Sequence, residues 1–178
     1  MRKVIAYELL SLDGVAEHPL EFITDFDEVM SENLGRVIAS QDAVLLGRRT
    51  YEDWAAFWPN SETEPFATFI NAVQKFVVTS TPPEQRWAST SVVGSDPARF
   101  VADLKHQPGA DIGVHGSISL AQSLFRANLV DELRLVIAPA VQTRGRRLFD
   151  DAHAKRLTLT RTVTSPTGYL LVDFEVNN

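Results

Sequence analysis

Apolar and polar positions along the chain repeat with two different periods, and the points where the period changes divide the chain into strands and helices. Val4 to Leu12 is a run of strand formers that stops at Asp13-Gly14, a turn signal. Over residues 25–39 the period lengthens. Phe26, Val29, Met30, Leu34, Val37 and Ile38 fall near i, i+3, i+4, i+8 spacing, and Asp25, Asp27, Glu28 and Glu32 crowd the first half, where a helix dipole favours them. Residues 42–47 (DAVLLG) are a short apolar run of the kind buried on both faces of a parallel sheet. Thr50 then opens a short helix through Trp54 and Phe57, which stops before Pro59.

The alternation continues. Lys75 to Ser80 is a buried strand ended by Pro82-Pro83, and Ser91 to Val93 offers a shorter one. Asp96 followed by Pro97 reads as an N-cap with proline at the first helical position, opening a helix over 98–106 that ends near Pro108-Gly109. Residues 112–115 form a strand, 119–127 a helix, and 132–138 a strand closed by Pro139. Residues 157–164 and 169–176 flank a Ser165-Pro-Thr-Gly168 turn and pair as an antiparallel hairpin. The order predicts an α/β fold in three layers, helix–sheet–helix: a mainly parallel central sheet covered on both faces, with a C-terminal antiparallel hairpin. Ligands in such sheets sit beyond the carboxyl ends of the strands.

Length and composition narrow the classes. A chain of 178 residues fits one domain, and one of this size buries roughly 70% of its unfolded surface. With no cysteine it has no disulfide, thiolate metal site or cysteine nucleophile. Lys+Arg 17 against Asp+Glu 23 gives a net charge of −6, which argues against a nucleic-acid partner. No segment approaches the roughly 20 apolar residues that span a bilayer, so no membrane partner is expected. The amino terminus reads as a first strand rather than a leader, and the expectation is a cytoplasmic globular protein.

Two strand-to-helix junctions carry candidate chemistry. One is Leu46-Gly47-Arg48-Arg49-Thr50, the other Val114-His115-Gly116-Ser117-Ile118-Ser119. Glycine lets the backbone approach a ligand closely, a helix start presents unpaired N–H groups to an anion, and arginine can fork onto a phosphate. Either turn alone is also ordinary turn chemistry, and Arg48-Arg49 alone is also a solvated helix face. Together they suggest a ligand with more than one phosphate. The G-x-G-x-x-G fingerprint and the P-loop are absent.

At these residues the chain resembles a known family. Leu45-Leu46-Gly47-Arg48-Arg49-Thr50-Tyr51-Glu52 is similar to the Gly-Arg-x-Thr turn of dihydrofolate reductase. Ser11-Leu12-Asp13-Gly14, Leu129-Val130-Asp131-Glu132-Leu133, Pro139 and Arg146-Arg147-Leu148-Phe149 resemble stand-alone relatives of the reductase domain of riboflavin-biosynthesis deaminase-reductases. The resemblance runs from about residue 2 to 176. It implies the dihydrofolate-reductase-like fold, NADPH as cofactor, a small-molecule substrate and a homodimer. Gly47, Arg48, Arg49 and Thr50 would hold the pyrophosphate and 2′-phosphate, and Thr79, Ser80 and Thr81 would lie by the adenosine phosphate. Gly116, Ser117, Ile118, Ser119 and Leu120 would match the loop under the nicotinamide-side phosphate. The chain departs from the family where Gly116-Ser117 stands for Gly-Gly and where Gln142-Thr143 replaces a glycine.

The activity the resemblance implies is NADPH-dependent reduction of a small heterocyclic or carbonyl substrate, such as a phosphoribosylamino-pyrimidine. Dihydrofolate reduction and non-catalytic NADPH binding are the alternatives. Asp13, ending the first strand, is the polar residue placed nearest the nicotinamide, against its plain reading as a turn aspartate. Asp27, in the helix that carries the pterin carboxylate of dihydrofolate reductase, is a substrate candidate or a charge favoured by the helix dipole. Trp54 and Trp58 are walls for a planar substrate or core. Arg144, Arg146 and Arg147 meet a substrate phosphate, or belong to a solvated loop or dimer contact. His18, His106, His115 and His153 show no metal-ligand spacing, and no metal is expected.

Overall fold

The most apolar runs take the middle of the sheet, because a strand covered on both faces must offer apolar side chains to both. The computed structural model describes residues 1–94, 96–150 and 154–177, so His153 lies outside the described residues. The first half runs β1 (Val4–Leu10), α1 (Glu28–Ile38), β2 (Gln41–Gly47), α2 (Arg48–Phe57), α3 (Phe66–Ala72) and β3 (Gln74–Val78). The second runs β4 (Thr90–Val93), α4 (Pro97–Lys105), β5 (Asp111–His115), α5 (Ile118–Arg126), β6 (Glu132–Ile137), β7 (Leu157–Thr164) and β8 (Leu170–Val176). The eight strands form one sheet in the order β4-β3-β2-β5-β1-β6-β8-β7. Pairing is parallel from β4 through β6 and antiparallel where β8 joins β6 and β7.

Side-chain alternation sorts the core into two layers. Tyr7, Val44 and Leu46 face α1, α2 and α3, where Met30, Leu34, Tyr51, Phe66 and Ile70 close the core. Ala6, Leu10, Leu45 and Val114 face α4 and α5, where Val101, Leu104, Leu120 and Leu124 do the same. The expected elements form with ends moved by a few residues. β1 closes at Leu10 and α1 starts at Glu28 behind its N-cap Asp27.

Helix α3 has no counterpart in the sequence pattern. It lasts 7 residues, and a helix of two turns is unstable by itself. Its N-cap Pro65 offers no side-chain bond, and only Glu64 accepts from the Thr68 N–H, at 3.2 Å. It forms because Phe66, Ala67 and Ile70 are buried under it. Its carboxyl end is closed by Lys75, whose fully buried ammonium donates to the Ile70 and Val73 carbonyls, each at 2.8 Å. The same ammonium lies 4.7 Å from the centre of the Trp87 ring. Burial pushes the Lys75 amine down to about 8.

Strand order positions the site. β5 enters between β2 and β1, so the two glycine junctions leave neighbouring strands at the same sheet edge. Parallel strands put their carboxyl ends on that edge, where the chain's direction around the sheet reverses and a crevice opens.

Candidate functional site: a cleft at the carboxyl ends of β1, β2 and β5

The junctions after β2 and β5 are bonded to each other. Gly47 donates its backbone N–H to Ser117 Oγ at 3.1 Å, and the Thr50 hydroxyl donates to the Gly116 carbonyl at 3.0 Å. Gly116 has φ +58°, in the left-handed region that favours glycine, and a Cβ there would meet the Trp54 ring at 3.1 Å. The N-cap of α2 is Gly47, which has no side chain, and the N-cap of α5 is Ser117, whose hydroxyl is turned to Gly47, so neither helix receives a side-chain cap. Two helix starts with uncapped N–H groups therefore open side by side, which is an arrangement suited to an anion.

They open into a cleft of about 850 Å³. Gly47, Arg48, Arg49 and Thr50 line it from one junction, and Gly116, Ser117, Ile118, Ser119 and Leu120 from the other. Trp54 and Trp58 line it as well and meet edge to face, as do Trp58 and Phe66, with ring centres 6.0 and 4.9 Å apart. Arg146 also reaches the cleft and donates to Ser119 Oγ at 2.8 Å, which adds a cation at the start of α5. Of the three arginines of its loop, only Arg146 lines this cleft.

Other sequence candidates stand elsewhere. Asp13 does not line the cleft. Its carboxylate accepts from the Ser11 hydroxyl at 2.7 Å and from the backbone N–H groups of Gln142 and Thr143, each at 2.9 Å. These bonds, Ser11 first, hold its carboxyl down at about 2. Thr143 has φ +64°, so Asp13 secures the left-handed turn where the family's glycine would stand. Asp27 is turned away too. It caps α1 by accepting from Met30 N at 2.9 Å, and it accepts from the Thr167 hydroxyl at 2.6 Å, which chiefly keeps its carboxyl near 2. Thr79, Ser80 and Thr81 follow β3 outside the cleft lining, and the Thr79 hydroxyl is bonded to the Thr81 carbonyl at 2.7 Å.

The cleft also holds Tyr7 and Glu8, which the sequence does not single out, and His115, whose place just before Gly116 makes it a candidate for lining the cleft as well as for the core. Tyr7 and Glu8 lie in the middle of β1 and His115 ends β5, and all three are buried. His115 Nε2 is 2.8 Å from Gln41 Oε1, and burial pushes its imidazole down to about 3, so the ring is neutral. Glu8 is 3% exposed, and burial pushes its carboxyl up to about 8. The one signal available in the sequence is a charged residue amid a run of strand formers, IAYELL, and only strand register turns that into a position. Among the described residues no cluster of three His, Asp or Glu side chains suited to a metal ion occurs.

Comparison with known proteins agrees with this architecture. YyaP of Bacillus subtilis (strain 168), an uncharacterized protein, is 26% identical over 99% of this chain and 96% of its own length. A protein of Shewanella sp. PV-4 named for riboflavin biosynthesis superposes with a TM-score of 0.80 at 15% identity, covering 99% of both chains. A pyrimidine reductase-like protein of Corynebacterium diphtheriae gives 0.73 at 15% identity, covering 99% of this chain and 92% of its own. Dihydrofolate reductase of Enterococcus faecalis, in complex with NADP(H), gives 0.61 at 13% identity over 99% and 97% of the two chains. The fold is thus the dihydrofolate-reductase-like one. The RibD C-terminal domain family matches residues 2–171, and this chain belongs to that family.

Proposed function

We propose that the chain is an NADPH-dependent reductase of a small, flat, heterocyclic or carbonyl-bearing substrate, of the kind reduced in riboflavin synthesis. The observation that carries the reading is the pair of uncapped helix starts locked together by Gly47–Ser117 and Thr50–Gly116, with Arg48, Arg49 and Arg146 around them. This arrangement fits a pyrophosphate with an additional phosphate. When bound, the dinucleotide supplies a hydride. The protein's own work is to orient, to exclude water and to manage one proton. Trp54, Trp58 and Phe66 provide a flat apolar wall for a ring beside the anion site.

Dihydrofolate reduction through a carboxylate of α1 is the weaker reading. Of the residues of α1, Leu34 lines the cleft, while Asp27 serves as a cap.

Tryptophan fluorescence during titration with NADPH and with NADH tests the proposal, since Trp54 and Trp58 face the cleft. The expected result is micromolar binding of NADPH, at least about tenfold weaker binding of NADH, and loss of that preference in Arg48→Ala/Arg49→Ala, since each tenfold step is about 1.4 kcal/mol of phosphate contact. Binding of neither nucleotide overturns the proposal.

A further inference from the structure

Four buried side-chain polar atoms lack a hydrogen-bond partner among the described residues, and three of them belong to residues lining the cleft: Tyr7 Oη, Glu8 Oε1 and Trp58 Nε1. A buried polar atom without a partner bears its full desolvation cost, so three at one cleft mark the place where a ligand supplies the partners. Glu8 is the chemically distinctive one. It sits in the middle of β1 on the side of α5, where the Ser117 N–H faces its carboxyl. Burial and that N–H are the two influences on it, and burial wins, leaving a carboxylic acid that is neutral at pH 7.

Glu17, His18, Asp53 and Glu64 also line the cleft, and none of them is buried as Glu8 is. His115 is already neutral and bonded to Gln41. Burial pushes the Tyr7 phenol up, farther from neutral pH, so it holds its proton more tightly. Glu17 holds the Arg146 backbone N–H, and α2 contributes Arg48, Arg49 and Asp53.

We propose that Glu8 is the proton donor of this cleft, giving its carboxyl proton to the substrate heteroatom next to the carbon that is reduced. The inference rests on the reductase reading. A reduced nicotinamide dinucleotide supplies the hydride to the carbon of a C=O or C=N bond and is itself oxidised. The π electron pair moves onto the oxygen or nitrogen, which takes the proton from Glu8, and the new O–H or N–H bond completes the two-electron reduction. The Glu8 carboxylate that remains accepts from the Ser117 N–H at the start of α5, where the helix dipole favours an anion, and water returns the proton.

Glu8→Gln keeps the shape of the side chain and removes the proton. Four measurements on the full chain test the assignment. Carboxyl NMR of protein labelled at glutamate is expected to show a midpoint near pH 8 that is missing from E8Q. NADPH affinity of E8Q is expected within about threefold of the wild type, a small change on the scale of 1.4 kcal/mol per tenfold. Reduction of 5-amino-6-(5-phosphoribosylamino)uracil or dihydrofolate, whichever the wild type turns over, is expected to fall by about 100-fold or more, the usual contribution of a positioned acid. The wild-type loss of turnover above pH 8 is expected to vanish in E8Q. E8Q turnover within a few-fold of the wild type with an unchanged pH profile overturns the assignment, as does a Glu8 ionised at pH 7. Wild-type protein that binds NADPH and reduces neither compound overturns it as well, while the nucleotide reading stands. Failure to bind NADPH at all overturns both.

Discussion

Glu8 and His115 occupy neighbouring strands and respond to burial in opposite directions: each stays neutral, the acid by keeping its proton and the base by refusing one. For Glu8 this has a consequence for stability. Its folded value of about 8 lies above its ordinary 4.5, so between these values the folded state binds more protons than the unfolded state. Stability therefore falls as pH rises through that window, by up to ~1.4 kcal/mol per pH unit. Glu8→Gln is expected to remove that slope, and its melting temperature should exceed that of the wild type by a margin that widens from pH 5 to pH 8. Melting curves across that range check it, and parallel curves would contradict a neutral Glu8. The position of this acid was not legible in the sequence. A lone glutamate in a strand reads as its solvent-facing residue until neighbouring strands bury it.

At the scale of elements, what the sequence shows best is what the backbone needs locally. Asp27 and Asp96 cap α1 and α4 as short polar side chains do, accepting from Met30 N and Arg99 N. Asp27→Ala is expected to cost about 1 kcal/mol of stability, a typical cap loss, while leaving NADPH affinity unchanged, since the residue lies outside the cleft. Denaturant unfolding and the fluorescence titration together measure both. A collapse of affinity would return Asp27 to the site. The opposite case is α3, where the N-cap position is a proline and packing under Phe66 and Ile70 creates the helix. Its end is closed by Lys75, a residue that reads from sequence as one member of a strand. Lys75→Met is expected to lower stability by roughly 1–3 kcal/mol, because the Ile70 and Val73 carbonyls lose their charged donor inside the core. Thermal melting at pH 7 reads the loss.

Across the whole molecule, the cleft depends on two loops distant in sequence. The segment after β1 and the one after β6 are joined by Leu12 N to Ala140 O, Ala16 N to Arg146 O and the Val15–Arg147 bridge, with Asp13 tied to Gln142 and Thr143. Asp13 thus places Arg146 at the start of α5 without touching the cleft. Asp13→Ala is expected to speed amide exchange over residues 140–147 and to weaken NADPH binding by about tenfold, or 1.4 kcal/mol. Unchanged exchange with weakened binding would instead give Asp13 a direct contact. Among the described residues no helix is long and apolar enough to cross a membrane.

The run of strands and helices other than α3, the terminal hairpin, the Asp96 cap and the two glycine junctions are legible along the chain, because periodicity, capping and turn chemistry act over a few residues. The family resemblance added the fold and grouped the junctions as one anion site. Which of the remaining polar candidates join that site was left to the tertiary structure. Asp13 and Asp27, prominent in sequence, are consumed by backbone N–H groups, whereas Glu8, His115 and Arg146 arrive through strand order and loop pairing. Those placements depend on residues more than a hundred positions apart, as in the contact of Asp13 with Gln142, and no local pattern carries them.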